Sequence, residues 1–377
     1  MKKILALMLV LSMSLVLLTG CGNSDGEIAL ITDKGNIDDK SFNQGSWEGV
    51  KKFAEGNKIT HKYYKPEEYN DAGYLATIDL AVEGGAKVVV TPGFLFEVPV
   101  YEAQTKYPEV KFILLDGAPH NADYSDNTIK ENVASVLYNE EQSGYLAGYA
   151  AVKDGYRKLG FMGGMAVPAV QAFGYGYLQG AEVAAKELGL NDGEISVLYH
   201  YTGDFAETDT NKATAKAMYQ EGVEIIFGCG GSVGKSVMAA AAEAGAKVIG
   251  VDVDQRYDSD TVVTSATKGL GASVYQVLEA IYKNDSWATF GGKQTYFNAA
   301  NAGVGLPTEV IGDKKADAFD RFNQFKKADY EAVFATLENG TAVPVREITI
   351  EDPDGYATAE ELVTGLNLVK VTVETRQ

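Results

Sequence analysis

A phenylalanine beside an amide, Phe42-Asn43, closes a polar stretch that begins at Asp33. The stretch follows the apolar run Ile28-Ala29-Leu30-Ile31 and precedes a helical pattern with apolar groups at Phe42, Val50 and Phe53. The order is therefore buried strand, polar loop, helix. Asp39 or Ser41 is suited to cap that helix, since a short oxygen-bearing side chain accepts from its first free N–H groups. In open α/β sheets ligands bind in the crevice outside the carboxyl ends of the strands. A flat aromatic and an amide placed there suit a planar ligand that also forms hydrogen bonds. The competing reading makes Phe42 the first core residue of its helix.

The arrangement occurs twice. Glu83-Gly84-Gly85-Ala86-Lys87-Val88-Val89-Val90-Thr91-Pro92-Gly93 matches in kind Glu221-Gly222-Val223-Glu224-Ile225-Ile226-Phe227-Gly228-Cys229-Gly230-Gly231. Each is a helix end, a glycine stop, a strand and a glycine-bearing loop. The strands that follow end in Leu115-Asp116-Gly117 and in Val251-Asp252-Val253-Asp254. Phe42 lies 15 residues after Glu27, and Phe173 lies 15 residues after Lys158. Two lobes of one topology, facing each other across a cleft, would bring Phe42 and Phe173 to opposite walls and Asp116 and Asp252 to its rim or floor. Lys268 follows another strand, Val262 to Thr267, and its charge can pair with Asp252. Gly230 and Gly231 would let backbone approach a ligand closely; the alternative is a tight strand-to-helix turn.

Other chemistries fit poorly. Gly234-Lys235-Ser236 imitates a phosphate-binding loop, but that motif needs glycine where Cys229 stands, and Gly228 is one place too early. No Gly-x-Ser-x-Gly elbow is present, and no histidine has a recognisable triad context. Asp33 is not followed by acids at alternate positions, which excludes an EF-hand loop. His61, His120 and His200 are isolated from one another and from cysteine, so no metal site is expected. No cofactor is implied.

These residues must be positioned by a chain of 377 residues, long for one domain and ample for two, with 46% hydrophobic and 23% charged side chains. The formal charge of −19 repels nucleic-acid phosphates and argues against nucleic-acid binding. Lys2 and Lys3 precede an apolar segment, Ile4 to Leu18, that is too short to span a bilayer and reads as an export signal over residues 1–20. Its end, Leu18-Thr19-Gly20-Cys21, resembles a bacterial lipobox, with Cys21 as the lipidated first residue and 21–26 as a tether. Beyond it, short apolar strands alternate with amphipathic helices, which implies right-handed βαβ units and parallel sheets. The first lobe is expected over 27–138 plus 257–290, and the second over 139–256 plus 291–377 with a C-terminal extension. In the extension, 316–338 reads as helix and Val343 to Ile350 as strand; the last thirty residues carry no functional pattern.

Asp-x-Gly, Ile37-Asp38-Asp39-Lys40-Ser41-Phe42-Asn43-Gln44 and Trp47-Glu48-Gly49 together resemble the signature of the basic membrane protein family, lipoproteins that bind purine nucleosides for ABC importers. The likeness continues through Tyr145-Leu146-Ala147-Gly148, Gly163-Gly164, Pro168, Phe173, Gly230-Gly231 and Ile249-Gly250-Val251-Asp252-Val253-Asp254-Gln255, covering roughly 27–306. Two departures stand out: Gly230-Gly231-Ser232-Val233-Gly234, where Gly-Thr-Gly is more typical, and the long tail after 307. The resemblance implies a type I periplasmic-binding-protein fold, two Rossmann-like lobes joined by three crossovers. It implies a non-enzymatic protein on the extracytoplasmic face of the cell membrane, delivering a nucleoside to an ABC permease. The base would stack between Phe42 and Phe173. Asp116 and Asn43 would bond its edge, Asp252 and Lys268 would hold the ribose, and Asp33 and Gly230 would lie close by. A sugar or other small-ligand receptor on the same fold, and a ligand sensor docking on a membrane signalling partner, are the alternatives. A nucleoside hydrolase is disfavoured by the missing metal cluster and nucleophile.

Overall fold

The computed structural model describes residues 26–283, 285–309, 317–352 and 356–376; the export signal, Cys21 and the rest of the tether up to residue 25 lie outside them. The chain opens with strand β1 (Ile28–Ile31), helix α1 (Phe42–Asn57), β2 (His61–Tyr64), α2 (Asp71–Glu83), β3 (Val88–Pro92), α3 (Glu97–Lys106), β4 (Lys111–Leu115) and β5 (Val133–Tyr138). It continues with α4 (Glu140–Lys153), β6 (Lys158–Gly163), α5 (Pro168–Glu187), β7 (Ile195–Tyr201), α6 (Asp209–Gln220), β8 (Ile225–Cys229), α7 (Val233–Ala244) and β9 (Lys247–Asp252). The last elements are β10 (Val262–Lys268), α8 (Leu270–Tyr282), β11 (Lys293–Phe297), the short β12 (Val304–Gly305), α9 (Lys327–Glu338), α10 (Ala359–Gly365) and β13 (Val371–Arg376).

Two sheets result. The first runs β11-β5-β4-β3-β1-β2 and is parallel throughout. The second runs β12-β10-β9-β8-β6-β7-β13 and is parallel except where β12 meets β10. Central strands such as Val88-Val89-Val90 and Ile225-Ile226-Phe227 are buried along their whole length, as strands covered by helices on both faces must be. Each sheet with its helices is one Rossmann-like lobe, and the chain passes between lobes three times: after β5, after β10 and after β11. The passages are tied together. The Asn139 N–H donates to the Phe297 carbonyl at 3.0 Å, and the Gly269 N–H to that of Gly303 at 2.8 Å. The Ser143 hydroxyl lies 3.0 Å and 2.9 Å from the carbonyls of Thr267 and Gly305.

The lobe boundaries differ from the expected ones. Strand 262–268 extends the second sheet beside β9, with Ala266 opposite Val251, because it completes the βαβ series of that lobe. The chain crosses only at its end. Helix α8 then lies on α1, where Phe53 and Tyr275 meet edge to face at 5.4 Å, and β11 joins the first sheet beside β5 rather than the second lobe. The tail also differs. Helix begins at 327, not 316: residue 316 lies outside the described residues, and Phe319, Phe322 and Phe325 enter the core from turns. Residues 343–350 form no strand; the Val345 backbone N–H and carbonyl are instead held by the two ends of the Gln179 amide, at 2.7 Å and 2.9 Å. Among the described residues the tail's one strand is β13, which adds in parallel to β7 at the sheet edge.

Phe173 is placed by an unusually close helix pair. Glycines at 144 and 148 on α4 face the backbone of α5, and Gly176 and Gly180 on α5 face that of α4. A Cβ at Gly144 would stand 2.0 Å from the Phe173 carbonyl oxygen, and one at Gly148 1.9 Å from that of Tyr177. Such contacts are with backbone and cannot be relieved by a rotamer change. Overpacking typically costs about 1–3 kcal/mol, and backbone that must separate lies at or above the upper end. Gly148→Ala is therefore expected to lose about 3 kcal/mol of unfolding free energy in urea titration. A loss below about 1 kcal/mol would mean that the helices do not meet along this face.

Candidate ligand-binding cleft

The loop before α1 is organised by Asp39. Its carboxylate accepts from the backbone N–H groups of Ser41 at 2.9 Å, Asn43 at 3.0 Å and Gln44 at 3.1 Å, so Asp39 supplies the helix cap. Ser41 does not; its hydroxyl donates to Asp252 Oδ2 across the cleft at 2.5 Å. The Asn43 amide is committed within the lobe. Nδ2 donates to Asp33 Oδ1 and Asp39 Oδ2 at 2.8 Å and 2.9 Å, and Oδ1 accepts from the Asp33 N–H at 3.1 Å. Only a second lone pair on Oδ1 remains for a ligand. Asn43 thus positions Asp33, whose Oδ1 also takes the Gly35 N–H at 2.7 Å, while Oδ2 has no hydrogen-bond partner among the described residues.

Asp116 and Asp252 occupy matching positions after β4 and at the end of β9, and both have left-handed backbones, with φ of 54° and 66°. Non-glycine residues held so cost of order 1–3 kcal/mol and cluster where a side chain must point a particular way. Here both carboxylates point at Lys268, the last residue of β10. Its ammonium makes a short contact with Asp116 Oδ2 and lies 3.5 Å from Glu140 Oε1 and 3.7 Å from Asp252 Oδ1. The expected Asp252–Lys268 pair is therefore secondary, and Asp116 is the nearer partner. The ammonium also lies over the Phe42 ring, 4.5 Å from its centroid, and 5.6 Å from that of Phe173. Asp116 Oδ1 is buried without a partner among the described residues, an acceptor available to a ligand N–H.

Charge in this cluster is tightly constrained. Burial pushes the Asp116 and Asp252 carboxyls up, and the Lys268 ammonium only partly opposes that. Burial works against the charge of Lys268, but Asp116, Asp252 and Glu140 outweigh it and hold the ammonium above its ordinary range. Asp33, half-buried and lacking a cation, is pushed up to about 6 by desolvation despite its bonds from Asn43 and Gly35.

One cleft between the lobes collects all eight residues singled out in the sequence: Asp33, Phe42, Asn43, Asp116, Phe173, Gly230, Asp252 and Lys268. Its empty space, open solvent included, is about 650 Å³. Phe173 is also a core residue, 2% exposed and edge-on to Phe227 at 5.9 Å; Phe42 is half-buried against the same core. Gly230 needs glycine for a local reason as well, since its φ is 147° and a Cβ would lie 2.8 Å from the Gly164 N atom. Two further aromatics in the wall, Phe94 and Phe205, were not identified. Both follow strand ends, after Pro92-Gly93 and after Thr202-Gly203-Asp204, and that position was the available signal. Glu140, which faces Lys268 from the first crossover, was also missed.

The family model for "ABC transporter substrate-binding protein PnrA-like" matches residues 27–338. The chain belongs to this family. It is 32% identical over 313 residues to basic membrane protein A1 of Borrelia garinii subsp. bavariensis, covering 81% of this chain and 88% of that one. It is 27% identical over 351 residues to the ABC transporter nucleoside-binding protein BmpA of Lactococcus lactis subsp. cremoris, covering 84% and 94%. An ABC-transporter solute-binding protein from Aeropyrum pernix K1 has the same fold, with a TM-score of 0.74 at 24% identity over 90% of this chain and 97% of that one. The family consists of ABC-transporter substrate-binding proteins, so the chain is not an enzyme. Among the described residues, no helix is long and apolar enough to cross a membrane.

The raised Asp33 carboxyl has a pH consequence. Between its ordinary value near 3.8 and about 6 the folded protein holds this proton more tightly than the unfolded chain. The stabilisation is complete below the unfolded value and is lost as pH rises through about 6. Asp33→Asn, which is neutral throughout, should avoid that loss. Its melting temperature relative to wild type is expected to rise from pH 4 to pH 7, the other acids being common to both proteins. A constant difference across that range would show that Asp33 is ionised normally.

Proposed function

We propose that this protein captures a nucleoside, a purine nucleoside foremost, between its lobes and delivers it to an ABC permease from the extracytoplasmic face of the cell membrane, held there by lipid on Cys21. The observation that supports the reading is that Phe42 and Phe173, one from each lobe, line one cleft beside Asp116 Oδ1, which has no partner among the described residues. Two aromatic faces sandwich a planar base, and a carboxylate oxygen at its edge takes a ring or exocyclic N–H. Asp252 and Lys268, charged and adjacent, hold the ribose hydroxyls, while Asp33 Oδ2 is a second acceptor on the same floor. The nucleoside-binding relative from Lactococcus lactis supports the ligand class, and the family supports the transporter partner. The lipid anchor rests on the Leu18-Thr19-Gly20-Cys21 pattern, which lies outside the described residues.

Calorimetry of the full-length protein against nucleosides, free bases and sugars tests the ligand class: nucleosides should bind and sugars should not. The reverse order would establish a sugar receptor on the same fold. Stacking is worth about 1–3 kcal/mol per base, so Phe42→Ala and Phe173→Ala should each weaken nucleoside binding roughly five- to a hundredfold. The double variant should lose a different amount from the sum, because the walls meet only through the ligand. If Phe42→Ala unfolds the protein and Phe173→Ala leaves affinity intact, both are core residues only.

One acyl chain holds marginally to a bilayer and two hold stably, so diacylated Cys21 suffices as an anchor. Cys21→Ala should move the protein from the membrane to the soluble fraction. Unchanged membrane retention would refute the assignment.

A further inference from the structure

The family match ends at residue 338, yet one side chain beyond it reaches the electrostatic centre of the cleft. Arg346 Nη1 lies 2.6 Å from Glu140 Oε2, 2.9 Å from Glu141 Oε2 and 2.8 Å from the Tyr138 carbonyl oxygen. Glu140 is 1% exposed and its other oxygen, Oε1, faces Lys268 at 3.5 Å. One buried carboxylate therefore bridges a cation of the ligand cleft and a cation of the C-terminal extension, at the crossover between the lobes. We propose that Arg346 is a positioning residue of the binding site, acting through Glu140 to leave Lys268 directed at Asp116, Asp252 and the ligand.

The argument is one of charge neutralisation. Three buried carboxylates, Asp116, Asp252 and Glu140, compete for the Lys268 ammonium. A buried charge without a partner costs several kcal/mol, so each acid draws on the nearest cation. Glu141 adds a fourth negative charge at the same corner, answered by Asn139 Nδ2 at 2.6 Å and by Arg346. With Arg346 in place, Glu140 and Glu141 are answered from the tail side and Lys268 is left to Asp116. Without it, Lys268 is the one remaining cation at Glu140 among the described residues and is drawn toward the crossover and away from Asp116. Arg346 is delivered by the pinned segment around Val345, which the Gln179 amide brackets, while β13 fixes the far end of the tail to β7.

The proposal rests on the nucleoside reading for its first measurement and is independent of it for the second. Nucleoside affinity of the full-length protein should fall about tenfold in Arg346→Met, as expected of a residue that orients a ligand-contacting group. It should recover in part in Arg346→Lys. In a Glu140→Gln background, Arg346→Met should add little, because the carboxylate through which it acts is gone. The second measurement needs no ligand: the Asp116 carboxyl, followed by carbon-13 resonance, should titrate higher in Arg346→Met than in wild type as Lys268 leaves it for Glu140. Wild-type protein that binds no nucleoside, together with a raised Asp116 titration in the variant, would overturn the ligand and keep the positioning role. An affinity change below twofold in Arg346→Met, a full further loss from Arg346→Met in the Glu140→Gln background, or an unmoved Asp116 titration would overturn the role itself.

Discussion

The architecture depends on a single buried ammonium. Lys268 is 5% exposed, and it collects carboxylates from β4, β9 and α4, elements of both lobes and of the first crossover. Taking a charge out of water is so costly that such a cluster forms only where opposite charges arrive together, and removing one partner typically costs about 3–5 kcal/mol. Lys268 therefore fixes where the second crossover leaves the sheet, and with it the mutual placement of the two lobes. The same ammonium lies over Phe42 and near Phe173, so the residue that compensates the acids also sets the floor of the aromatic gap.

Around that charge, backbone conformation rather than side-chain reach does the aiming. Asp116 and Asp252 adopt the left-handed region, which turns each carboxylate back over the end of its own strand. The symmetry of the two positions follows from the repeated βαβ topology, and the difference between them follows from loop contacts. Asp252 has given one oxygen to Ser41, whereas Asp116 keeps Oδ1 free of partners among the described residues. Two equivalent acids thus acquire unequal duties, one bracing the lobes against each other and one retaining an acceptor on the cavity side.

Much of this was legible from spacing. Strand and helix alternation predicted the parallel sheets, and the equal offset of Phe42 and Phe173 from their first strands predicted that both reach one cleft, because the two lobes repeat one topology. What was not legible depends on three-dimensional register. Strand 262–268 reads the same whether it ends one sheet or begins another, and only its pairing with β9 decides. Lys268 chooses Asp116 over Asp252 because of how the crossovers are laced, through Ser143 and Gly269, which no local pattern encodes. In the tail, Val343 to Ile350 alternates well, but at Val345 both backbone groups are taken by Gln179 rather than by a neighbouring strand. Val371 to Arg376 has weaker alternation and still pairs, because the edge of β7 is available. Asn43 shows the same limit: its amide, suited by type to a ligand, is consumed by Asp33 and Asp39.

The lobes touch across the cleft chiefly at one loop. Besides Ser41 and Asp252, Gln255 Nε2 donates to the Lys40 carbonyl at 2.8 Å, Lys235 Nζ to that of Asp38 at 3.2 Å, and Lys40 lies 3.7 Å from Asp258. Of these contacts Lys40–Asp258 is the ion pair, and with Lys40 exposed it is worth about 0–1 kcal/mol. The loop itself is strained at Lys40, whose φ is 63°. The buried bond from Ser41 to Asp252 therefore carries most of the seam, a hydrogen bond to a charged group being worth roughly 1.5–3 kcal/mol. Asp39 orders the loop and caps α1 while Ser41 reaches Asp252, so the residues that build the first wall also hold the second lobe against it.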